Sequence, residues 1–223
     1  MIGSPRVHFR LTDSTNERAR ALAAGGAPHG TLVTADEQQA GRGRQGRSWS
    51  APPRSAVLMS VVLRELSETL PLAAAVAVCE ALPVDARIKW PNDVWIGGRK
   101  VAGILVEARP QEGWAVLGIG LNVATEEFPE ELHATSLRLE GAPITVEAAL
   151  DALLGTLKAW LARPAAEVLA AWRSRDALLG ETVRWANGSK QGTAAGVDSS
   201  GALIVDTADG RVTLDAGEVH LRR

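Results

Sequence analysis

The sequence predicts an α+β protein, with a central sheet packed with helices and a small all-β unit after it. Three observations point there. Helical stretches at about 69–82, 146–162 and 165–174 are interleaved with β-branched, apolar runs. A meander of strands occupies 86–123. After Gly180 the turn dipeptides Asn187-Gly188, Ser200-Gly201 and Asp209-Gly210 follow one another closely, the pattern of short strands in a barrel. The boundary is placed so that residues 1–177 form one domain and 178–223 the other.

The elements follow in order. Residues 6–11 suit a short strand. Ser14-Thr15-Asn16-Glu17 has the form of a capping box, and the helix it opens ends at Gly25-Gly26. Thr31 to Asp36 and Ser55 to Arg64 are strands. Between them, residues 37–54 are rich in Gly, Pro and Arg and have no period, so they form a long loop of the kind that carries function. The meander comprises Ala86–Trp90, Val94–Ile96, Lys100–Glu107 and Trp114–Val123, with Gly97-Gly98 as a tight hairpin turn. Residues 124–143 are loop-like. Pro164 suits the first turn of the last helix.

The formal charge of −2 on 223 residues supplies no basic field toward nucleic acid or anionic lipid. One cysteine, Cys79, excludes an internal disulfide and fits a reducing compartment. The N-terminus lacks the apolar core of a signal peptide, and Leu70 to Leu82 is too short and interrupted to span a bilayer. A cytoplasmic location away from membranes is expected. Of 24 basic residues only four are lysines, and two of these, Lys89 and Lys100, lie close together.

Three segments suggest chemistry. Gly41-Arg42-Gly43-Arg44-Gln45-Gly46-Arg47 matches G-x-G-x-x-G, but no helix starts after it, so a dinucleotide-binding turn is excluded. What remains is a flexible loop with three arginines, suited to closing over a phosphate or carboxylate, or else a solvated basic loop or nucleic-acid contact. In Lys89-Trp90-Pro91-Asn92-Asp93 the proline ends a strand with polar residues at its tip, which are either a site or a turn. Gly103 marks a bulge or a close ligand approach. In Leu117-Gly118-Ile119-Gly120-Leu121-Asn122 the glycines share one strand face, leaving room for a ligand or for close helix packing.

Together and in this order, "DSTN", "EQQAGRGRQGRSW", "KWPNDV", "GRKVAGILVE" and "LGIGLNV" resemble the biotin protein ligase family. The resemblance is close over residues 7–123, and the C-terminal unit resembles that family's SH3-like barrel. It implies a mixed central sheet related to class II aminoacyl-tRNA synthetases. It also implies an ATP-dependent enzyme that makes biotinyl-5′-AMP and transfers biotin to a lysine of a biotin carboxyl carrier protein. Mg²⁺ is expected on the ATP phosphates, held with few protein ligands near Lys89, Asn92 and Asp93, and no residue is named as a metal ligand. The resemblance places Ser14, Thr15, Asn16, Gln38, Gly41, Arg42, Gly43, Arg44, Lys100, Gly103 and Gly118 at biotin. It places Arg44, Arg47, Trp49, Lys89, Asn92 and Asn122 at ATP or the adenylate, and makes Lys100, Arg44 and Asp93 the catalytic group. Asp93 is expected to accept a proton from the acceptor amine or to orient its neighbours. Some members carry an N-terminal DNA-binding domain. Only 13 residues precede Ser14 here, so no DNA-binding role is expected, and a homodimer is a possibility drawn from the family. The rivals are a lipoate ligase, a silent binder of biotin or nucleotide, and an RNA-binding module.

Overall fold

The computed structural model describes residues 1–215 and 219–221. Seven strands form a mixed sheet in the order β1-β2-β3-β7-β6-β5-β4. These are β1 (Arg6–Phe9), β2 (Leu32–Ala35), β3 (Ala56–Leu63), β4 (Arg87–Lys89), β5 (Asp93–Ile96), β6 (Arg99–Arg109) and β7 (Trp114–Asn122). β1 and β2 are parallel and every other pair is antiparallel. A second, five-stranded antiparallel sheet has the order β11-β10-β9-β8-β12. It consists of β8 (Thr182–Trp185), β9 (Lys190–Val197), β10 (Leu203–Thr207), β11 (Gly210–Leu214) and β12 (His220–Leu221).

The alternation of side chains along β3, β6 and β7 sorts the core. On one face, Val57, Met59, Val61, Ile104, Leu117, Ile119 and Leu121 belong to the main apolar cluster. This face meets α2 (Leu70–Ala81), which α3 (Val146–Leu161) and α4 (Ala165–Arg173) cover in turn. α2 is buried along nearly its whole length, which explains why it is apolar all round. The other face carries Val62 and Val116, which pack with Ala19 and Ala23 of α1 (Thr15–Ala24). α1 covers only part of that face, and the uncovered part is where glycines replace apolar side chains.

Boundaries agree with the sequence reading to within a few residues. The hairpin turn at Gly97 and Gly98 has φ of +55° and +78°, as its residues demand. Two local expectations are corrected, and a third, the loop at 124–143, is borne out with added detail. Ser14 is the N-cap of α1 but makes no side-chain cap bond. Instead the first-turn N–H of Thr15 donates to Gln38 Oε1 at 2.7 Å. Pro164 is the N-cap of α4 rather than a first-turn residue. Residues 124–143 contain a 3₁₀ turn at Glu130–Leu132 and then run beside β6. There Lys100 N–H donates to the His133 carbonyl at 2.9 Å, and Thr135 N–H to the Lys100 carbonyl at 2.8 Å.

Candidate active site

The strand register builds the site. Leu58, Gly120, Gly103, Asp93 and Lys89 are successive cross-strand partners over five strands. The next row holds Ser60, Gly118 and Leu105. Because partners share a face, the two glycine rows make a floor on the α1 side, with Asp93 and Lys89 at one end. Lys100, three residues before Gly103, would face the opposite side in a regular strand. A bulge at Val101 corrects this, because Val94 pairs with Ala102 and Trp95 with Lys100. Lys100 thus joins the row, with Nζ 2.6 Å from Asp93 Oδ1 and 5.5 Å from the centre of the Trp49 ring.

The glycines are required by what lies on them. A Cβ on Gly118 would stand 2.0 Å from Asn16 Oδ1, and one on Gly120 would stand 2.3 Å from Trp49 Cε2. A Cβ on Gly103 would lie 3.0 Å from Trp49 Cζ3 and 3.3 Å from Lys100 Nζ. The polar end of the cavity is a hydrogen-bonded group around the start of α1. Thr15 Oγ1 lies 3.0 Å from Gln38 Oε1, and Ser60 Oγ lies 2.9 Å from Thr15 Oγ1 and 2.6 Å from Asn16 Oδ1. Asn16 Nδ2 donates to Glu107 Oε2 at 2.9 Å.

The loop at 37–54 is closed on itself. Gly43 N–H donates to the Arg47 carbonyl at 2.8 Å, and Trp49 N–H to the Gly41 carbonyl at 2.9 Å, around a 3₁₀ turn at Arg44–Gly46. Arg42 Nη1 meets Glu17 Oε1 at 2.5 Å. Arg44 Nη1 reaches Asn92 Oδ1 at 3.4 Å, a weak contact, while Asn92 Nδ2 donates to the Ile104 carbonyl at 2.8 Å.

One cavity is lined by Ser14, Thr15, Asn16, Gln38, Arg42 and Gly43 together with Arg44, Arg47 and Trp49. Lys89, Asn92, Asp93, Lys100, Gly103 and Gly118 line it as well. Two of the sequence-derived candidates lie elsewhere. Gly41 lies behind the cavity, where a Cβ would meet the Trp49 carbonyl oxygen at 2.3 Å, so it shapes the loop path. Asn122, expected at the nucleotide, does not line the cavity. It is 3% exposed and its Nδ2 donates to the Thr135 carbonyl at 3.0 Å, because the segment after residue 132 covers that end of β7. Sequence reasoning missed Ser60, Glu107 and Val219. Ser60 is a lone polar residue in the apolar run 56–63, a signal that could have been used. Val219 enters the cavity from the C-terminal unit and left no local trace. Among the described residues no cluster of three or more His, Cys, Asp or Glu could hold a metal ion, and no helix is long and apolar enough to cross a membrane.

A pocket floored by glycine, with Lys89, Lys100 and three arginines around one carboxylate, is built to bring anionic groups together. The chain belongs to the biotin/lipoate A/B protein ligase family, whose profile matches residues 8–123. A profile of the biotin protein ligase C terminal domain matches residues 179–222. Among its relatives, the biotin--[acetyl-CoA-carboxylase] ligase of Mycobacterium tuberculosis is 39% identical over 95% of this chain and 87% of that protein. The bifunctional ligase/repressor BirA of Bacillus subtilis is 33% identical over 99% of this chain and 75% of that protein. A solved biotin protein ligase from Aquifex aeolicus, in complex with biotin and ATP, superposes with a TM-score of 0.84. It shares 30% identity, with 99% of each chain covered.

Proposed function

We propose that this chain activates biotin with ATP as biotinyl-5′-AMP, releasing pyrophosphate, and then passes biotin to a lysine of a biotin carboxyl carrier domain. The observation that carries this reading is the single cavity in which Lys100, Arg42, Arg44, Arg47 and Lys89 meet over the glycine floor.

In the first step the biotin carboxylate attacks the α-phosphorus and pyrophosphate leaves. Two anions must approach, and fixed cations in a partly dried site offset their repulsion. Lys100 is held by Asp93 at 2.6 Å, so its ammonium is oriented before substrate arrives. That pairing favours an orienting role for Asp93. Mg²⁺ enters as part of the ATP substrate, for which one carboxylate and several cations are a suitable setting. The polar group at Thr15, Asn16, Gln38 and Ser60 suits the cyclic urea of biotin, which offers one acceptor and two donors. In the second step the acceptor amine attacks the activated carbonyl and AMP leaves. The loop at 37–54 keeps water from the mixed anhydride in the interval. Residues 1–177 are assigned to the catalytic unit and 178–223 to the C-terminal unit. The acceptor docks at an exposed sheet edge.

Incubation with ATP, Mg²⁺ and biotin, followed by native mass measurement, is expected to give a protein-bound adenylate and biotin-dependent pyrophosphate release. Lipoate added in competition should not displace it. Absence of both products would overturn the assignment.

A further inference from the structure

Asn16 lies at the cavity wall and is 4% exposed. Its amide could turn by half a revolution with almost no change of shape, exchanging a donor for an acceptor. Something must therefore fix its polarity if it is to read a ligand. Glu107 meets that need. Its carboxylate accepts from Asn16 Nδ2 at 2.9 Å and does not itself line the cavity. With Nδ2 drawn to Glu107, Asn16 Oδ1 faces Ser60, and the single Ser60 proton goes to it at 2.6 Å. Ser60 Oγ can then only accept from Thr15, whose own proton goes either there or to Gln38 Oε1. Polarity set at Glu107 thus runs through Asn16 to Ser60.

The same carboxylate faces Arg20 at 3.4 Å and Arg42 at 3.9 Å, and Glu17 bridges these two arginines. Resting on the ligase reading above, we propose that Glu107 is a positioning residue for biotin. It sets the donor and acceptor pattern of the pocket through Asn16 and ties that pattern to the arginine loop.

The test is biotin titration calorimetry on the full chain without ATP, for wild type, Glu107→Gln, Asn16→Ala and the double variant. Glutamine keeps the shape of Glu107 but can present either a donor or an acceptor. Its biotin Kd is expected to rise about twofold or more, because a binding polarity kept by half the population doubles the apparent Kd. Pyrophosphate release at saturating biotin should stay within about twofold. In the double variant Glu107→Gln should add nothing to the loss caused by Asn16→Ala. If Glu107→Gln fails to fold, Glu107→Ala, which also removes the acceptor-only group, replaces it and is read by the same biotin Kd and the same non-additivity with Asn16→Ala. A Kd change below twofold, multiplying effects in the double variant, or a fall in maximal rate as large as the fall in affinity would each overturn the proposal. Wild-type protein that binds no biotin would instead overturn the ligase reading itself.

Discussion

At the scale of single residues, the site depends as much on absent side chains as on charged ones. Asn16 Oδ1 fills the space where Gly118 would carry a Cβ. Gly118→Ala must therefore displace a buried polar atom and break its 2.6 Å bond to Ser60. Biotin affinity is expected to fall by about tenfold or more, as loss of a buried hydrogen bond of roughly 1.5 kcal/mol implies. Calorimetric titration would show it, and an unchanged Kd would mean that Asn16 does not face the ligand. Lys100→Ala acts differently. It removes the cation that Asp93 orients, and a charge aimed at a transition state is typically worth about 10²–10³ in rate. Adenylate formation, read as pyrophosphate release, should fall by that order while the urea midpoint stays near wild type. Wild-type turnover would remove Lys100 from the chemistry.

How far these residues were legible in the sequence follows from their signals. Gly118, Gly103 and Lys100 sit in motifs dense with Gly and Lys, so they stood out. Glu107 lies in the same strand at the end of a hydrophobic run, and nothing local told it from a solvent-facing carboxylate. Its role appears only when β6 is set beside α1. The motif placed Asn122 on β7, but it could not show the segment that covers that end of the strand and accepts from its amide. Ser14 is the N-cap that its motif announces, but its side chain makes no cap bond, and a residue distant in sequence, Gln38, takes the N–H of Thr15 instead.

At the scale of elements, the bulge in β6 and the loop at 37–54 do the positioning. The bulge is invisible to a period-two reading, since Val101 looks like any strand residue, yet it places Lys100 on the floor beside Asp93. The loop was recognisable from composition, but its closed internal hydrogen bonding was not. Arg44 sits at the start of its 3₁₀ turn and reaches over to Asn92. Arg44→Ala cuts that bridge between loop and sheet and removes a cation from the cavity. Preformed adenylate should leave the variant at least tenfold faster in a chase experiment with unlabelled ligand. An unchanged release rate would mean the loop does not act as a lid through Arg44.

At the scale of the whole molecule, the C-terminal unit is fastened to the catalytic sheet at its most sensitive place. Trp90 Nε1 donates to the Gly201 carbonyl at 3.0 Å, and Gly201 lies so close to Leu72 that a Cβ would approach its Cδ1 to 2.7 Å. The turn after β9 thus braces the segment that carries Asn92 and Asp93. A second joint lies at Asp176, whose backbone pairs with Ile88 of the edge strand β4. Asp176 Oδ1 accepts from Leu178 N–H at 2.8 Å, but Oδ2 is buried without a partner among the described residues. Burial raises its carboxyl above the ordinary range, against a smaller opposing effect of backbone N–H groups. A raised folded-state pKa means that the native state holds the proton more tightly than the unfolded chain does. The favourable contribution is therefore present in acid and is lost as pH rises through the folded value. Asp176→Asn keeps the acceptor for Leu178 and removes the buried charge. It should stabilise the protein at pH 7.5, because burial no longer penalises a charged form. The gain should shrink toward zero as pH falls to about 4, near the unperturbed carboxyl value. Urea unfolding at both pH values measures this directly. An equal gain at both, or a loss at pH 7.5, would show that the joint does not hold a strained carboxylate.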